Sequence, residues 1–381
     1  MTASDMTAAE KERVAQAVSA DAGRLIALSE RLHAHPETAW QEHRSARWVA
    51  ETLDEAGFTV APAYLGLDTA FHATYGSGPF RLGLCAEYDA LPGLGHACGH
   101  NLIAAITAGA ARALAPLADT AGLTIEVYGT PAEEGGGGKI ELLERGAFAG
   151  LDLAMMAHPA PVDVAEAEAF AVSHSHVFFR GRAAHAAAYP EQGVNAADAF
   201  TIAQVAIGLL RQQLPHTVRV HGVMTNGGEA PNAIPARTEG RWYVRAGSLA
   251  GLAETEEKVW RCFQAGALAT GCELDITPES KPYAEFRNDE RALAAYRRNA
   301  ERLGRRFDDG SPARRMNRAS TDMGNVSQLV PAIHPYVGIG SLPALNHQPE
   351  FAAHCVGGDA ERALLDAATA LAWTALDVAA G

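Results

Sequence analysis

The hydrophobic and polar positions in the first part of the chain alternate between helical and extended spacing. Residues 8–34 and a stretch ending near Gly57 have the apolar spacing of helices. Three short apolar runs that end in polar residues predict buried strands: "RLGLCAEYDA", "LTIEVYGTPAEE" and "LDLAMMAH". A helix over 102–115 and another after the segment "GGGGK" lie between them. Strands that alternate with helices are typical of a parallel sheet covered by helices, so we predict an α/β fold.

The pattern changes near residue 170. The segment "AVSHSHVFFRGR" alternates between apolar and polar side chains, as a half-buried strand does. About four such strands and two helices, over 195–213 and 250–269, predict a separate α+β unit with an antiparallel sheet. The α/β pattern then returns and closes with a helix over 359–378. We therefore predict a larger domain of residues 1–169 and 285–381, interrupted by an inserted domain of residues 170–284.

Charge and cysteine content narrow the class of protein. The 31 basic and 45 acidic side chains give a net charge of −14, which argues against binding nucleic acid or an anionic membrane through a basic face. The five cysteines are scattered, as suits a reducing compartment. The first residues contain no apolar segment of the signal-peptide kind, and the weakly polar stretch 102–118 carries Arg112. We expect a cytoplasmic protein without a membrane span.

Polar side chains collect where the predicted strands of the first part end. In open parallel sheets, ligands bind beyond the carboxyl ends of the strands. Two acidic pairs and a histidine follow successive strands, and a Cys-Gly-His triplet lies in the loop after the first: Glu87, Asp89, Glu133, Glu134, His158 and Cys98-Gly99-His100. Thiolate, imidazole and carboxylate together suit zinc, and less well manganese or nickel. This edge of the sheet is therefore a candidate metal site.

Each of these features also has a plain structural explanation. A lone cysteine such as Cys98 is often a small buried side chain, and two adjacent glutamates often form a solvated loop. The segment "GGGGK" resembles a phosphate-binding loop, but Glu133 stands where that motif requires glycine, and Ile140 where it requires Ser or Thr. The pair His174-x-His176 fits ordinary strand residues. The residues by themselves leave open whether Cys98 is a ligand.

The order and wording of several longer motifs resemble the M20 family of metallopeptidases and amidohydrolases. The motifs span nearly the whole chain: "AEYDALPGLGHACGHN", "GTPAEEGGGGK", "MMAHP", "GRAAHAAAYPEQGVNAADA", "PNAIPA", "ASTDMGNVSQLVP" and "LNHQPEF". They are most similar to the branch that holds aminoacylase-1-like protein 2 and the p-aminobenzoyl-glutamate hydrolase subunit. The resemblance implies an α/β catalytic domain with a mostly parallel sheet. It also implies that the inserted α+β domain is a dimerisation and lid domain.

The resemblance also implies roles for individual residues. It assigns the divalent metal, one or two ions per subunit, to five ligands: Cys98, His100, Glu134, His158 and His347. Glu133 becomes the general base that acts on a metal-activated water, and Asp89 orients a ligand. In the lid domain, His185 reaches towards the reacting carbonyl, while Asn232 and Arg245 are candidate substrate contacts. One departure is the triplet Glu87-Tyr88-Asp89, where other branches carry His-x-Asp.

The activity implied by the resemblance is hydrolysis of the amide bond of a small N-acyl amino acid or dipeptide-like substrate. Zinc is the favoured metal, with manganese, nickel and cobalt as alternatives, and a homodimer formed through the inserted domain is the expected assembly. A strict dipeptidase acting on β-alanyl or basic dipeptides is the second hypothesis. A non-catalytic member that regulates a partner hydrolase is the third, although the complete ligand set weighs against it.

Overall fold

The computed structural model describes residues 3–308 and 310–381. The segment inspected above for a targeting sequence therefore begins outside the described residues. The chain forms two compact units: one ends at Glu168 and resumes at Phe286, and the other is Ala169–Glu285. The inserted domain predicted from the sequence differs from this second unit by one residue at each end. The two units are described separately below.

The helices of the described residues alternate with short strands in the first unit. The helices are α1 (Ala3–Ala34), α2 (His43–Asp54), α3 (His100–Leu114), α4 (Gly138–Glu144), α5 (Ala196–Leu210), α6 (Leu249–Thr270), α7 (Glu290–Arg302), α8 (Met323–Ser327), α9 (Pro349–His354) and α10 (Gly358–Ala379). The strands are β1 (Thr59–Pro62), β2 (Phe71–Tyr75), β3 (Phe80–Ala86), β4 (Leu123–Gly129), β5 (Leu153–Met155), β6 (His158–Ala160), β7 (Ala171–Arg180), β8 (Arg219–Asn226), β9 (Arg237–Ala246), β10 (Glu273–Pro278), β11 (Ala332–Ile333) and β12 (Tyr336–Gly338).

The main sheet of the first unit has the strand order β1-β2-β4-β3-β5-β11. β4, β3, β5 and β11 run parallel to their neighbours, whereas β1 and β2 are antiparallel. The α/β prediction with a mostly parallel sheet is confirmed. β1 and β2 were not predicted, because the segment that carries them has no regular apolar alternation.

Alanine-rich packing holds the helices of the first unit together. α3 is buried along almost its whole length and packs against α1 and α10. Small side chains let helix axes approach closely, and at Gly109 even one added carbon would lie 2.8 Å from Leu25. The helix 102–115 predicted from the weakly polar stretch is therefore a packed helix. Among the described residues, no helix is both long enough and apolar enough to cross a membrane.

The second unit is an antiparallel sheet with two helices on one face. Its strand order is β10-β7-β9-β8, and every neighbouring pair is antiparallel. α5 and α6 cover one face of this sheet, where Phe179, Phe200, Trp242 and Phe263 form an aromatic core. α5 begins at the N-cap Asn195 and α6 at the N-cap Ser248, whose side chains accept backbone N–H groups. The predicted α+β architecture with an antiparallel sheet is confirmed.

Candidate metal centre

Three parallel strands deliver the candidate site residues to one edge of the main sheet. β3 and β4 pair up to Ala86 and Gly129, and β5 pairs with β3 up to Met155. The chain therefore leaves all three strands at nearly the same level, and polar residues follow each of them. His158 is an exception in detail. It does not end the third strand, as the sequence suggested, but begins β6, which pairs in parallel with β12.

The Cys98-Gly99-His100 triplet forms the turn into α3. Gly99 has a φ of +82°, which favours glycine, and is the N-cap of a helix that begins at His100. A side-chain carbon at Gly99 would lie 2.9 Å from Cβ of Pro159. The glycine thus lets the triplet approach the segment that carries His158. As a result, Sγ of Cys98 lies 3.5 Å from Nε2 of His158.

Buried Asp89 orients two other candidate ligands. Its Oδ1 accepts a hydrogen bond from Nδ1 of His100 at 3.0 Å, and its Oδ2 accepts one from the backbone N–H of Glu134 at 2.9 Å. The first bond puts the proton of a neutral His100 imidazole on Nδ1, so the lone pair is at Nε2. A carboxylate that fixes the tautomer in this way is characteristic of metal-bound histidines.

The two adjacent glutamates follow an unusual turn. Ala132 has a φ of +57°, and its N–H donates to Oε1 of Glu42 at 2.9 Å. The chain thereby places Glu133 and Glu134 in different surroundings, because Oε1 of Glu134 lies 3.3 Å from Nε2 of His347. His347 also has a positive φ, +67°, held by a 2.8 Å hydrogen bond from its N–H to the Ala97 carbonyl. Backbone strain of this kind is concentrated at functional sites.

The donor atoms form groups small enough to hold a metal ion. One consists of Cys98, His100 and His158, and a second of Cys98, Glu134 and His347; within each, the donor atoms lie within 4.8 Å of one another. The two groups share Cys98. Nε2 of His100 is fully buried and has no hydrogen-bond partner among the described residues. An unpaired buried lone pair facing thiolate, imidazole and carboxylate donors fits a divalent cation.

The electrostatic environment sets the protonation of these donors. Burial, together with the Glu134 carboxylate, raises the pKa of the Cys98 thiol. Burial opposes charge on His100 as well, but the Asp89 carboxylate outweighs it and raises the pKa of that imidazole. Burial, reinforced by His334 and His100, lowers the pKa of His158 and keeps it neutral, as a metal ligand must be. Burial and the carboxylates of Glu87 and Glu134 raise the pKa of Glu133.

An ionic triad that the sequence did not reveal lies beside these groups. Nζ of Lys139 contacts Oε1 of Glu87 at 2.5 Å and Oδ1 of Asp322 at 2.6 Å, and all three side chains are fully buried. The Lys139 N–H also donates to Oδ2 of Asp322. The sequence analysis considered Lys139 only as part of a phosphate-binding loop. A basic side chain directly after the acidic "AEE" segment was the available signal.

The three remaining predicted residues lie in the second unit, and the structure brings only two of them together. The Asn232 carbonyl accepts a hydrogen bond from the Ala186 N–H, next to His185. Both lie near the end of the sheet where Arg180 pairs with Arg237. Arg245 pairs with Val172 instead, eight register positions away, or about 26 Å along the strand. Within this unit, one small molecule cannot contact both His185 and Arg245.

Comparison with known proteins places the chain in a family of amide-bond hydrolases. Residues 79–372 match the Peptidase family M20/M25/M40. The Xaa-Arg dipeptidase of Mus musculus is 42% identical, with 97% of this chain and 88% of the relative covered. A p-aminobenzoyl-glutamate hydrolase subunit of Escherichia coli (strain K12) is 33% identical, with 67% of this chain and 57% of the relative covered.

A solved structure agrees with this match at the level of the fold. A protein from Bacillus subtilis, described as a dinuclear metal binding peptidase from the M20 family, superposes with a TM-score of 0.71 and 22% identity; the alignment covers 94% of this chain and 99% of that one. The chain belongs to peptidase family M20/M25/M40. It is a hydrolase of the class that acts on amide bonds, and the resemblance noted in the sequence is confirmed.

Proposed function

We propose that this protein is a metal-dependent amidohydrolase that cleaves the amide bond of a small dipeptide-like or N-acyl amino acid substrate. The observation that carries this proposal is the pair of donor groups sharing Cys98, with the buried, unpartnered Nε2 of His100 at their centre. A structural role for these residues would have satisfied that nitrogen with a hydrogen bond. Five residues would hold the metal: Cys98, His100, Glu134, His158 and His347.

When bound, a divalent ion there would polarise the scissile carbonyl and make water a better nucleophile at neutral pH. The remaining chemistry falls to side chains. Glu133 accepts a proton from the attacking water and returns it to the leaving nitrogen as the carbon–nitrogen bond breaks. Its raised pKa suits a group that must both take and give up a proton near neutrality. Asp89 acts as a positioning residue through its bonds to His100 and the Glu134 backbone.

Dipeptides with a C-terminal arginine are the substrates we propose to test first. The Xaa-Arg dipeptidases of Mus musculus and Homo sapiens are 42% and 41% identical to this chain, and each alignment covers 97% of it. The match to the p-aminobenzoyl-glutamate hydrolase subunit is weaker and shorter. This supports the dipeptidase hypothesis over an N-acyl amino acid hydrolase.

A substrate panel tests both levels of the proposal. The metal-depleted protein is reloaded separately with zinc, manganese, cobalt or nickel and assayed on Xaa-Arg dipeptides, β-alanyl dipeptides and N-acetyl amino acids. We expect kcat/KM for Xaa-Arg dipeptides to exceed the others by at least about tenfold, or about 1.4 kcal/mol of transition-state stabilisation. The reverse ranking contradicts the dipeptidase assignment only. A folded, metal-loaded protein that hydrolyses none of these supports the non-catalytic alternative.

The roles of the second unit remain proposals drawn from the family resemblance. They are dimerisation, a lid function, and participation of His185 and Asn232 in substrate contact. Exposed apolar residues on α5, Val205 and Leu209, support a self-association surface. Sedimentation of the purified protein tests this, and we expect a homodimer. We also propose a cytoplasmic location, which fractionation of cells producing the protein tests.

A further inference from the structure

The Lys139 ammonium occupies only one oxygen of Glu87. Oε1 of Glu87 lies 2.5 Å from Nζ of Lys139, whereas Oε2 is buried and has no hydrogen-bond partner among the described residues. Asp322 anchors the ammonium from the other side, at 2.6 Å. Because a fully buried ion pair cannot rotate freely without losing its contacts, Lys139 fixes the direction in which Oε2 points.

Oε2 of Glu87 points at another unsatisfied atom. It lies 3.5 Å from Nε2 of His100, which is also buried and without a hydrogen-bond partner among the described residues. In a neutral His100, the Nδ1 proton is donated to Asp89, so Nε2 presents a lone pair. Two acceptors that face each other in a dry interior repel, and each lacks the partner that burial demands. A cation between them removes both penalties.

We infer that Glu87 is a further donor to the metal ion held by His100, a role that neither the sequence motifs nor the two donor groups sharing Cys98 assign to it. This inference rests on the proposed function. Metal–donor bonds of about 2.0–2.2 Å put neighbouring donors of one ion about 3–3.6 Å apart, which matches the 3.5 Å separation. Lys139 is a positioning residue that directs Oε2 into the site.

The chemistry of this donor predicts its effect on metal choice. A carboxylate oxygen is a harder donor than thiolate or imidazole, and harder donors favour manganese relative to zinc. Glu87 should therefore contribute more to the affinity for manganese than to the affinity for zinc. A carboxylate acting only through its charge, from outside the coordination sphere, would affect both ions alike.

Titration calorimetry of metal-free protein with Zn²⁺ and Mn²⁺ tests the inference. Two variants are compared with the wild type: Glu87→Gln removes the charge and keeps the shape, and Glu87→Asp keeps the charge but withdraws the oxygens from His100. We expect Glu87→Gln to weaken Mn²⁺ binding on the order of 100-fold and Zn²⁺ binding by less. Glu87→Asp should lose on the order of tenfold in Mn²⁺ affinity. Far-UV circular dichroism verifies folding, and Glu87→Asp, whose pairing with Lys139 is charge-conserving, decides if Glu87→Gln is unfolded.

The matched control is Glu126→Gln, which also removes a buried carboxylate paired with a cation, here Arg81, but on β4. It should leave both affinities within about twofold of the wild type. Wild-type affinities in Glu87→Asp, or equal losses for Zn²⁺ and Mn²⁺ in Glu87→Gln, would overturn direct ligation by Glu87. If the wild type binds neither ion, the proposed function fails first. If it binds both and the Glu87 variants do too, only this inference fails.

Discussion

Both units of this protein carry a cluster of histidines and acidic residues, but only one cluster leaves its buried atoms unpaired. In the first unit, Nε2 of His100 and Oε2 of Glu87 are buried with no hydrogen-bond partner among the described residues. In the second unit, His176 pairs with Glu279 at 3.3 Å, and Nδ1 of His174 lies 3.3 Å from the Ser280 hydroxyl.

The difference shows how a binding site can be distinguished from a surface network of the same composition. Glu279 in the second unit also pairs with Arg241, whose guanidinium is almost half exposed. Partly solvated charges that pair with one another need no ligand. A buried donor set that lacks partners has a cost that a ligand relieves. Unsatisfied burial, more than residue type, therefore marks the candidate metal centre.

The largest expected effect is that of Glu133→Gln. An amide keeps the shape of the side chain but cannot accept the proton from water, so kcat should fall on the order of 10²–10⁴-fold. Metal content should be unchanged, and KM should change little. Steady-state kinetics with parallel elemental analysis is the measurement. A variant that loses its metal instead would mean that Glu133 is a ligand and that the roles of Glu133 and Glu134 are exchanged.

A smaller loss is expected when the positioning carboxylate is neutralised. Asp89→Asn weakens the orientation of His100 and of the Glu134 backbone, which Asp89 holds at 3.0 and 2.9 Å. Removing such a partner typically costs about 10–100-fold in metal affinity, and we expect a decrease of this size. Zinc competition with a chromophoric chelator measures it. Unchanged affinity would show that Asp89 does not act through the ligands.

Glu126 offers a buried carboxylate in the same unit whose partners are complete. Burial disfavours its charge, but hydrogen bonds from His72, Tyr128 and Arg81 outweigh burial and lower its pKa to about 2. Since the unfolded value is about 4.3, this group stabilises the fold above that pH, and the contribution is lost as pH falls towards 2. Glu126→Gln should therefore have a flatter profile of melting temperature between about pH 5 and pH 2. An unchanged profile would show that the pairing does not contribute to stability.

The smallest effect belongs to the second unit. Glu279→Gln breaks the pairs with His176 and Arg241 near the sheet surface. Pairs of this partly exposed kind contribute about 0–1 kcal/mol, so the thermal midpoint should shift by only a few degrees. Metal content should equal that of the wild type. A loss of bound metal in Glu279→Gln would contradict the contrast between the two clusters.

The sequence predicted the elements with regular spacing, and the reason is local. The strands β3, β4 and β5 and the helix α3 have continuous apolar runs, so the pattern located them and the polar residues at their ends. β1 and β2 were missed because they are short and lie at or next to the antiparallel edge of the sheet. Their pairing depends on β4, which is distant in the chain, more than on their own composition.

The candidate ligands were likewise visible, but their geometry was not. Motif order supplied Cys98 and His347, although 249 positions separate them in the chain. That Cys98 is common to two donor groups, or that Lys139 directs Glu87 towards His100, depends on contacts between distant segments. The separation of Arg245 from His185 depends on strand register, which the sequence pattern did not specify.

The central claim, that the cluster around Cys98 is a metal centre, is tested most directly by metal content. Wild type, Cys98→Ser and Cys272→Ser, which replaces a buried free cysteine of the second unit, are exchanged into metal, dialysed together and analysed by inductively coupled plasma mass spectrometry. A hydroxyl is a poor substitute for a soft anionic thiolate ligand. We predict that wild type and Cys272→Ser retain at least one metal ion per chain and that Cys98→Ser retains substantially less. Equal metal content in a folded Cys98→Ser variant would contradict the account.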